Sequence, residues 1–321
     1  MSWPRLEGIL SPMQRLILDI LRTGVLCLLV MVGFSVAAKP PTTTSLEPVL
    51  VDDDGRGVLP FHHWPDKPLR VFVSVPKSVK ADTPVIIIFH GNTRNAQGYR
   101  DSWHRTAQKN NVIAVVPEFS SRYFPKIRYR NGNVRSQKGK ALPQDTWLLS
   151  GIEPLFEHVR EQFNLTTTHY SLYGHSAGAQ VVHRFLYFVS DNRASRIVIA
   201  NAGTYTMPMD SINYVQGIKG VDISNTDLTR AYAKRVIVLV GDQDNDPKHP
   251  TLDRSLESMR QGPHRFSRGH RFYMNSLFKA SVLLKVPFNW SLSVAPGVGH
   301  SNKRMVRYAA PFLLEGPLVV H

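Results

Sequence analysis

The sequence predicts an α/β chain: a mostly parallel, doubly wound sheet with helices on both faces and loop insertions at its carboxyl edge. Three observations carry this expectation. Short runs rich in Val and Ile alternate with stretches of helical periodicity from about residue 49 onward. The central runs are apolar at consecutive positions, as strands buried on both faces must be. The long irregular segments follow these runs rather than precede them.

Strands are expected at 69–75 (LRVFVSV), 84–90 (PVIIIFH), 112–117 (VIAVVP) and 170–174 (YSLYG). Three more follow at 196–201, 235–241 and 290–296. Helical patterns occupy 148–163 and 177–190; in the second, Val181, Val182, Phe185, Leu186 and Val189 recur on one face. Alternating strands and helices of this kind imply parallel pairing with covering helices. Residues 119–147, 203–230 and 246–272 are too irregular for that scaffold. They leave the carboxyl ends of strands, the edge where open α/β sheets bind ligands. No internal repeat is present, and no linker-like composition occurs after residue 50, so 49–321 reads as one domain.

Composition excludes disorder: 42% of the 321 residues are hydrophobic and 20% are charged. The 39 Lys and Arg outnumber the 24 Asp and Glu, giving a formal charge of +15. Such a field attracts anions of any kind: nucleic acid, a membrane surface or an acidic substrate. At the amino end, Arg5, Arg15 and Arg22 precede the apolar run VLCLLVMVGFSVAA (25–38), and a Pro/Thr-rich leader (39–48) follows. This pattern fits an export signal cleaved near Ala37 or Ala38, placing the mature protein in the periplasm or outside the cell. The rival is an uncleaved anchor reaching back to Leu16, with Asp19 and Arg22 inside the span at roughly 2.5–3.5 kcal/mol each. Cleavage would remove the single cysteine, Cys27, and leave the charge strongly positive. No stable membrane association is then expected.

Function is most legible in THYSLYGHSAGAQVVHRF (168–185), where a strand pattern gives way to a helical one at Ser176. A serine on such a turn has its hydroxyl held out above the sheet edge, and flanking glycines remove Cβ atoms that would clash there. That is a nucleophile's position. Of 13 histidines, His300 is the expected base, because it follows the last strand in the flexible loop APGVGHSNKRM. Ser301 can cap the closing helix. His175 is expected to point away from the turn, and His183 to sit on the helix flank. VIVLVGDQDND offers Asp242, Asp244 and Asp246, of which Asp244, in the pattern Gly-x-x-Asp, is the expected acid. A calcium loop is a poor fit, since Pro247 replaces the required glycine and no glutamate closes the ligand set. Oxyanion donors are expected from the backbone N–H groups of Ala177 and Asn92, the latter after the apolar strand that ends at His90-Gly91.

Over 49–316 the chain resembles the α/β-hydrolase superfamily. HGNTRNAQGYRDSW, SAGAQVVHRF, NAGTYTMP and QGPHRFSRGHRFY resemble bacterial esterases of the poly(3-hydroxybutyrate) depolymerase type, and are also similar to poly(aspartic acid) hydrolases. The resemblance implies Ser176 as nucleophile, Asp244 as acid and His300 as base, working through an acyl-enzyme. No metal or organic cofactor is implied. The expected activity is therefore exported serine hydrolysis of an ester. An amide hydrolase of an acidic polymer, an acyltransferase and a non-catalytic binding protein are the alternatives. Residues 121–140 carry seven Lys and Arg and no acid, and 260–271 add four Arg and two His. These segments read either as solvated surface or as a positive rim for an anionic polymer, with Arg128, Arg130 and Arg135 as candidate contacts. Glu118 is a candidate substrate contact or the ion-pair partner of one of these arginines. The aromatics Tyr123, Phe124 and Tyr129 form no stacking motif, so nucleic acid is not expected.

Overall fold

The computed structural model describes residues 49–314 apart from 137. The expected export signal and leader lie outside the described residues. In chain order the elements are β1 (Arg56–Phe61), β2 (Leu69–Ser74), β3 (Val85–Phe89), α1 (Ala96–Lys109), β4 (Ile113–Pro117) and α2 (Lys126–Arg130). Then come α3 (Ile152–Gln162), β5 (Tyr170–His175), α4 (Ala177–Phe188), β6 (Ala194–Ala200), α5 (Asn225–Ala233) and β7 (Arg235–Gly241). The chain closes with α6 (Leu256–Met259), α7 (Arg265–Phe278) running into a π-helical turn (Lys279–Leu284), β8 (Trp290–Ala295) and α8 (Asn302–Leu314).

The eight strands form one sheet in the order β1-β2-β4-β3-β5-β6-β7-β8. Pairing is antiparallel between β1 and β2 and between β2 and β4, and parallel everywhere else. Alternation along each strand divides the core. Val85, Ile87 and Phe89 of β3 face one layer, with Phe156, Val182 and Phe185 from α3 and α4. Ile86 and Ile88 face the other, with Trp103 of α1 and Met305 of α8. Both faces are therefore dry at the centre, which is why β3 and β4 are buried at every position.

The strand β1 was not expected. Its buried and exposed positions alternate, and it contains Pro60. Both features suit an edge strand, where one face is wet and a missing N–H can go unpaired. The segments expected to be irregular also contain helices. α5 starts inside 203–230 behind a capping box in which Ser224 and Asp227 exchange hydrogen bonds. α7 starts inside 246–272, and its buried face is polar, which hid its periodicity. Among the described residues no helix is long and apolar enough to cross a membrane.

Candidate active site

β5 ends at His175 and α4 begins at Ala177, so Ser176 alone makes the turn between them. Its φ of 58° and ψ of −116° are conformations a residue with a Cβ rarely holds without support. Close packing supplies that support and explains both glycines. A Cβ on Gly174 would stand 2.4 Å from Gly178 O, and one on Gly178 would stand 2.1 Å from Phe89 O. The helix thus rests directly on β5 and β3, and the strained turn presents Ser176 at the carboxyl edge of the sheet.

The structure brings Ser176, His300 and Asp244 together. His300 Nε2 lies 2.9 Å from Ser176 Oγ, across 124 residues of chain. His300 Nδ1 lies 2.7 Å from Asp244 Oδ2. The other two aspartates are engaged elsewhere: Asp242 Oδ1 accepts from the Gly297 N–H at 2.8 Å, and Asp246 Oδ1 from the Lys248 N–H at 2.8 Å. Ser301 caps α8 as expected, through a long bond of 3.4 Å from the Arg304 N–H to its Oγ.

Asp244 has a second partner that the sequence reading assigned to the surface. Arg265 Nη1 donates to Asp244 Oδ1 at 3.2 Å, and its Nη2 donates to Thr251 Oγ1 at 2.8 Å. Burial pushes the Asp244 carboxyl up, but the His300 hydrogen bond and the His300 and Arg265 charges outweigh it, leaving the group below the usual carboxylate range. The available signal for Arg265 was spacing. It lies three, four, seven and eleven residues before Arg268, Gly269, Phe272 and Ser276, all on the buried face of α7.

Of the expected oxyanion donors, Ala177 directly follows the serine and Asn92 lies in a turn near it. Ala177 is the first residue of α4, so its N–H has no acceptor within the helix. Asn92 sits in a turn closed by the Arg94 N–H bonding to Gly91 O at 3.2 Å. That turn passes close to the nucleophile, since a Cβ on Gly91 would lie 3.7 Å from Ser176 Cβ. Its support comes from 119–130. Arg94 donates to Phe119 O and Phe124 O at 3.0 and 2.8 Å and lies over the Tyr129 ring, whose hydroxyl donates to His90 O at 2.7 Å. His90 is fully buried, and burial pushes it down to about 4, so it stays neutral while its Nε2 accepts from the Phe119 N–H.

Several expectations need correction. Glu118 does not meet an arginine of 121–140. It takes two bonds from Arg70, at 2.8 and 3.1 Å, because antiparallel pairing sets β2 beside the end of β4. Within 260–271, Arg265 and Arg268 are 1% and 0% exposed, so that segment is not a rim of free cations. Arg268 binds the carbonyls of Gly203, Gly262 and Asp253, tying the loops after β6 and β7 together. Of the three candidate arginines in 121–140, Arg128 is exposed and Arg135 donates to Gly139 O of its own loop. Arg130 is half-buried, its Nε has no partner, and Asp253 is its carboxylate neighbour. His183 is buried rather than on a flank, accepting from the Thr206 N–H at 3.0 Å. His175 does not point away: its ring lies 4.8 Å from that of His300.

No protein-family model and no curated protein matches the chain. Solved structures do. Poly(aspartic acid) hydrolase-1 from Sphingomonas sp. KT-1 is 38% identical, with a TM-score of 0.79 over 81% of this chain and 99% of that one. A poly(3-hydroxybutyrate) depolymerase from Bordetella parapertussis is 31% identical, with a TM-score of 0.76 over 80% of this chain and 89% of that one. A siderophore hydrolase from Aspergillus nidulans shares the fold at 17% identity and a TM-score of 0.52, over 84% and 98%. With the strand order, the serine turn and relatives at this identity, the chain belongs to the α/β-hydrolase superfamily and is a hydrolase.

Proposed function

We propose that this chain is an exported serine hydrolase that cleaves an acyl bond through Ser176, His300 and Asp244. The observation that carries this reading is the continuous hydrogen-bonded path from Ser176 Oγ through both nitrogens of His300 to Asp244. As Oγ attacks the carbonyl carbon, His300 Nε2 takes its proton. Asp244 holds the Nδ1–H and balances the imidazolium that forms. The Ala177 and Asn92 N–H groups receive the oxyanion. The imidazolium then protonates the leaving group, and an acyl group remains on Ser176. Water, deprotonated by the same nitrogen, releases the acid and restores the serine. The acyltransferase alternative differs only in that an alcohol takes the place of this water.

An ester was the first expectation, but two observations favour an acidic polymer with an amide or ester link. The 38% identical relative acts on poly(aspartic acid). Exposed Arg128 and half-buried Arg130 lie in the segment 119–130 that supports the oxyanion turn, so positive charge stands close to that turn. The test compares turnover of polyaspartate, polyhydroxybutyrate and a short nitrophenyl ester at low and high salt. The screening length is about 8 Å at physiological ionic strength, so a local positive rim weakens as salt is added. Polyaspartate turnover is expected to fall with salt through kcat/KM, while the neutral ester changes little. Replacing Arg128, Arg130 and Arg135 together by Gln should mimic high salt for the anion alone. Equal salt responses for both substrates would remove the acidic-polymer reading.

A further inference from the structure

Two buried polar side chains beside the Ser176 path play no part in it: His175, 3% exposed, and Tyr99, 8% exposed. His175 is the last residue of β5, immediately before the serine. Its ring lies against that of His300, with centroids 4.8 Å apart and planes inclined by 32°. Its Nδ1 lies 2.9 Å from the Tyr99 hydroxyl. That hydroxyl faces the backbone N–H of Gly91, so close that a Cβ on Gly91 would stand 2.8 Å from it. Gly91 opens the turn that carries Asn92. One histidine therefore adjoins the nucleophile, touches the base and, through one tyrosine, meets the oxyanion turn.

The hydrogen bonds set the state of this histidine. The Tyr99 hydroxyl lies within hydrogen-bond distance of His175 Nδ1, and an O–H donated there favours the neutral ring. With the O–H donated to Nδ1, the proton of neutral His175 sits on Nε2, which is buried. The titratable groups around it are Tyr99, His300 and Arg265. Burial first, and then the charges of His300 and Arg265, push His175 well below the ordinary histidine range.

We propose that His175 and Tyr99 are positioning residues: neutral His175 holds a fixed ring face against the His300 imidazolium as it forms, and Tyr99 ties that ring to the oxyanion turn. This rests on the serine hydrolase reading. A neutral aromatic face stabilises a forming cation, whereas a second cation there would repel it.

The test measures the second-order rate constant for fluorophosphonate labelling of Ser176, from about pH 4 to about pH 9, in the wild type, Tyr99→Phe, His175→Phe and the double variant. The rate depends on nucleophile, base and oxyanion turn together and needs no natural substrate. Tyr99→Phe is expected to lower the plateau about tenfold, less than the roughly 10²–10³ lost with an oxyanion donor itself. It should also steepen the acid limb, because a hydrogen bond to the neutral form of His175 is gone and a second proton can bind beside His300. His175→Phe keeps a ring face that cannot titrate, so the double variant should lose that extra steepness. A Tyr99→Phe profile that superimposes on the wild type overturns the proposal, and so does steepness that persists in the double variant. Should Tyr99→Phe not fold, His175→Gln is compared with His175→Phe: Phe should label faster, and equal rates overturn the ring-face role. A wild type left unlabelled at Ser176 overturns the hydrolase reading and the proposal with it. A labelled wild type with unaltered variants overturns the proposal alone.

Discussion

Arg265→Gln separates the support of the acid from the chemistry of the acid. The pair Arg265–Asp244 spans 3.2 Å, and the two side chains are only 1% and 2% exposed. Removing one partner of a buried pair costs about 3–5 kcal/mol, because the remaining charge is left desolvated. Here the carboxylate keeps the His300 bond of 2.7 Å, so the lower end, about 3 kcal/mol, applies. For a domain of this size that corresponds to a fall in Tm of roughly 6–12 °C. Turnover should fall by about tenfold, far less than the roughly 10⁴ for losing the carboxylate itself, because His300 retains its orienting acceptor. The pH dependence follows from the depressed Asp244 carboxyl. A carboxyl lowered on folding contributes stability that is present above its unfolded value of about 3.9 and lost as pH falls through the folded value. Without Arg265 the folded value rises, so acid unfolding should begin at higher pH. Arg265→Lys should recover part of the loss, since it restores the charge but not both hydrogen bonds. Calorimetric melts across pH, with nitrophenyl ester kinetics in parallel, measure all three effects. A Gln variant that melts within about 2 °C of the wild type and unfolds in acid at the same pH would refute the assignment.

Ser176→Ala and His300→Ala should each abolish turnover while leaving the melting transition in place, and a fluorophosphonate should label the wild type at Ser176; labelling at another serine would sink the nucleophile assignment. Asp244→Asn should lose about 10⁴ in turnover. Asp242→Asn should cost about 1 kcal/mol of stability through its bond to Gly297 and leave turnover near normal, and the reverse order would show that the acid is misassigned. Gly178→Ala places a Cβ 2.1 Å from Phe89 O, so it should destabilise by about 3 kcal/mol or prevent folding; a variant as stable as the wild type would contradict that close approach of α4 to β3.

Much of the scaffold was readable because its signals are local. Short Val- and Ile-rich apolar runs at 85–89 and 113–117 read as strands buried on both faces, and the structure buries each residue of them. The glycines around Ser176 report a backbone contact made within one strand–turn–helix unit, so GHSAG showed its own geometry. Elements whose buried face is polar were less readable. α7 buries Arg265 and Arg268 where an amphipathic helix would bury Leu, so its arginines read as surface charge.

The sequence by itself determined the chain order and character of seven of the eight strands, the serine turn, and the loops that could deliver a base and an acid. Those depend on side-chain period and on backbone freedom, which a stretch of a few residues specifies. The sequence favoured Asp244 over Asp242 as the acid, but only the tertiary structure decided that Arg70 claims Glu118 and that His175 lies against the base instead of away from it. Each of these is a choice among chemically equivalent partners. It depends on the direction in which a side chain leaves its element, and on which distant element packs opposite. Ser176 and His300 meet across 124 residues because the sheet order sets the loops after β5 and β8 at one edge, and no local pattern encodes that distance.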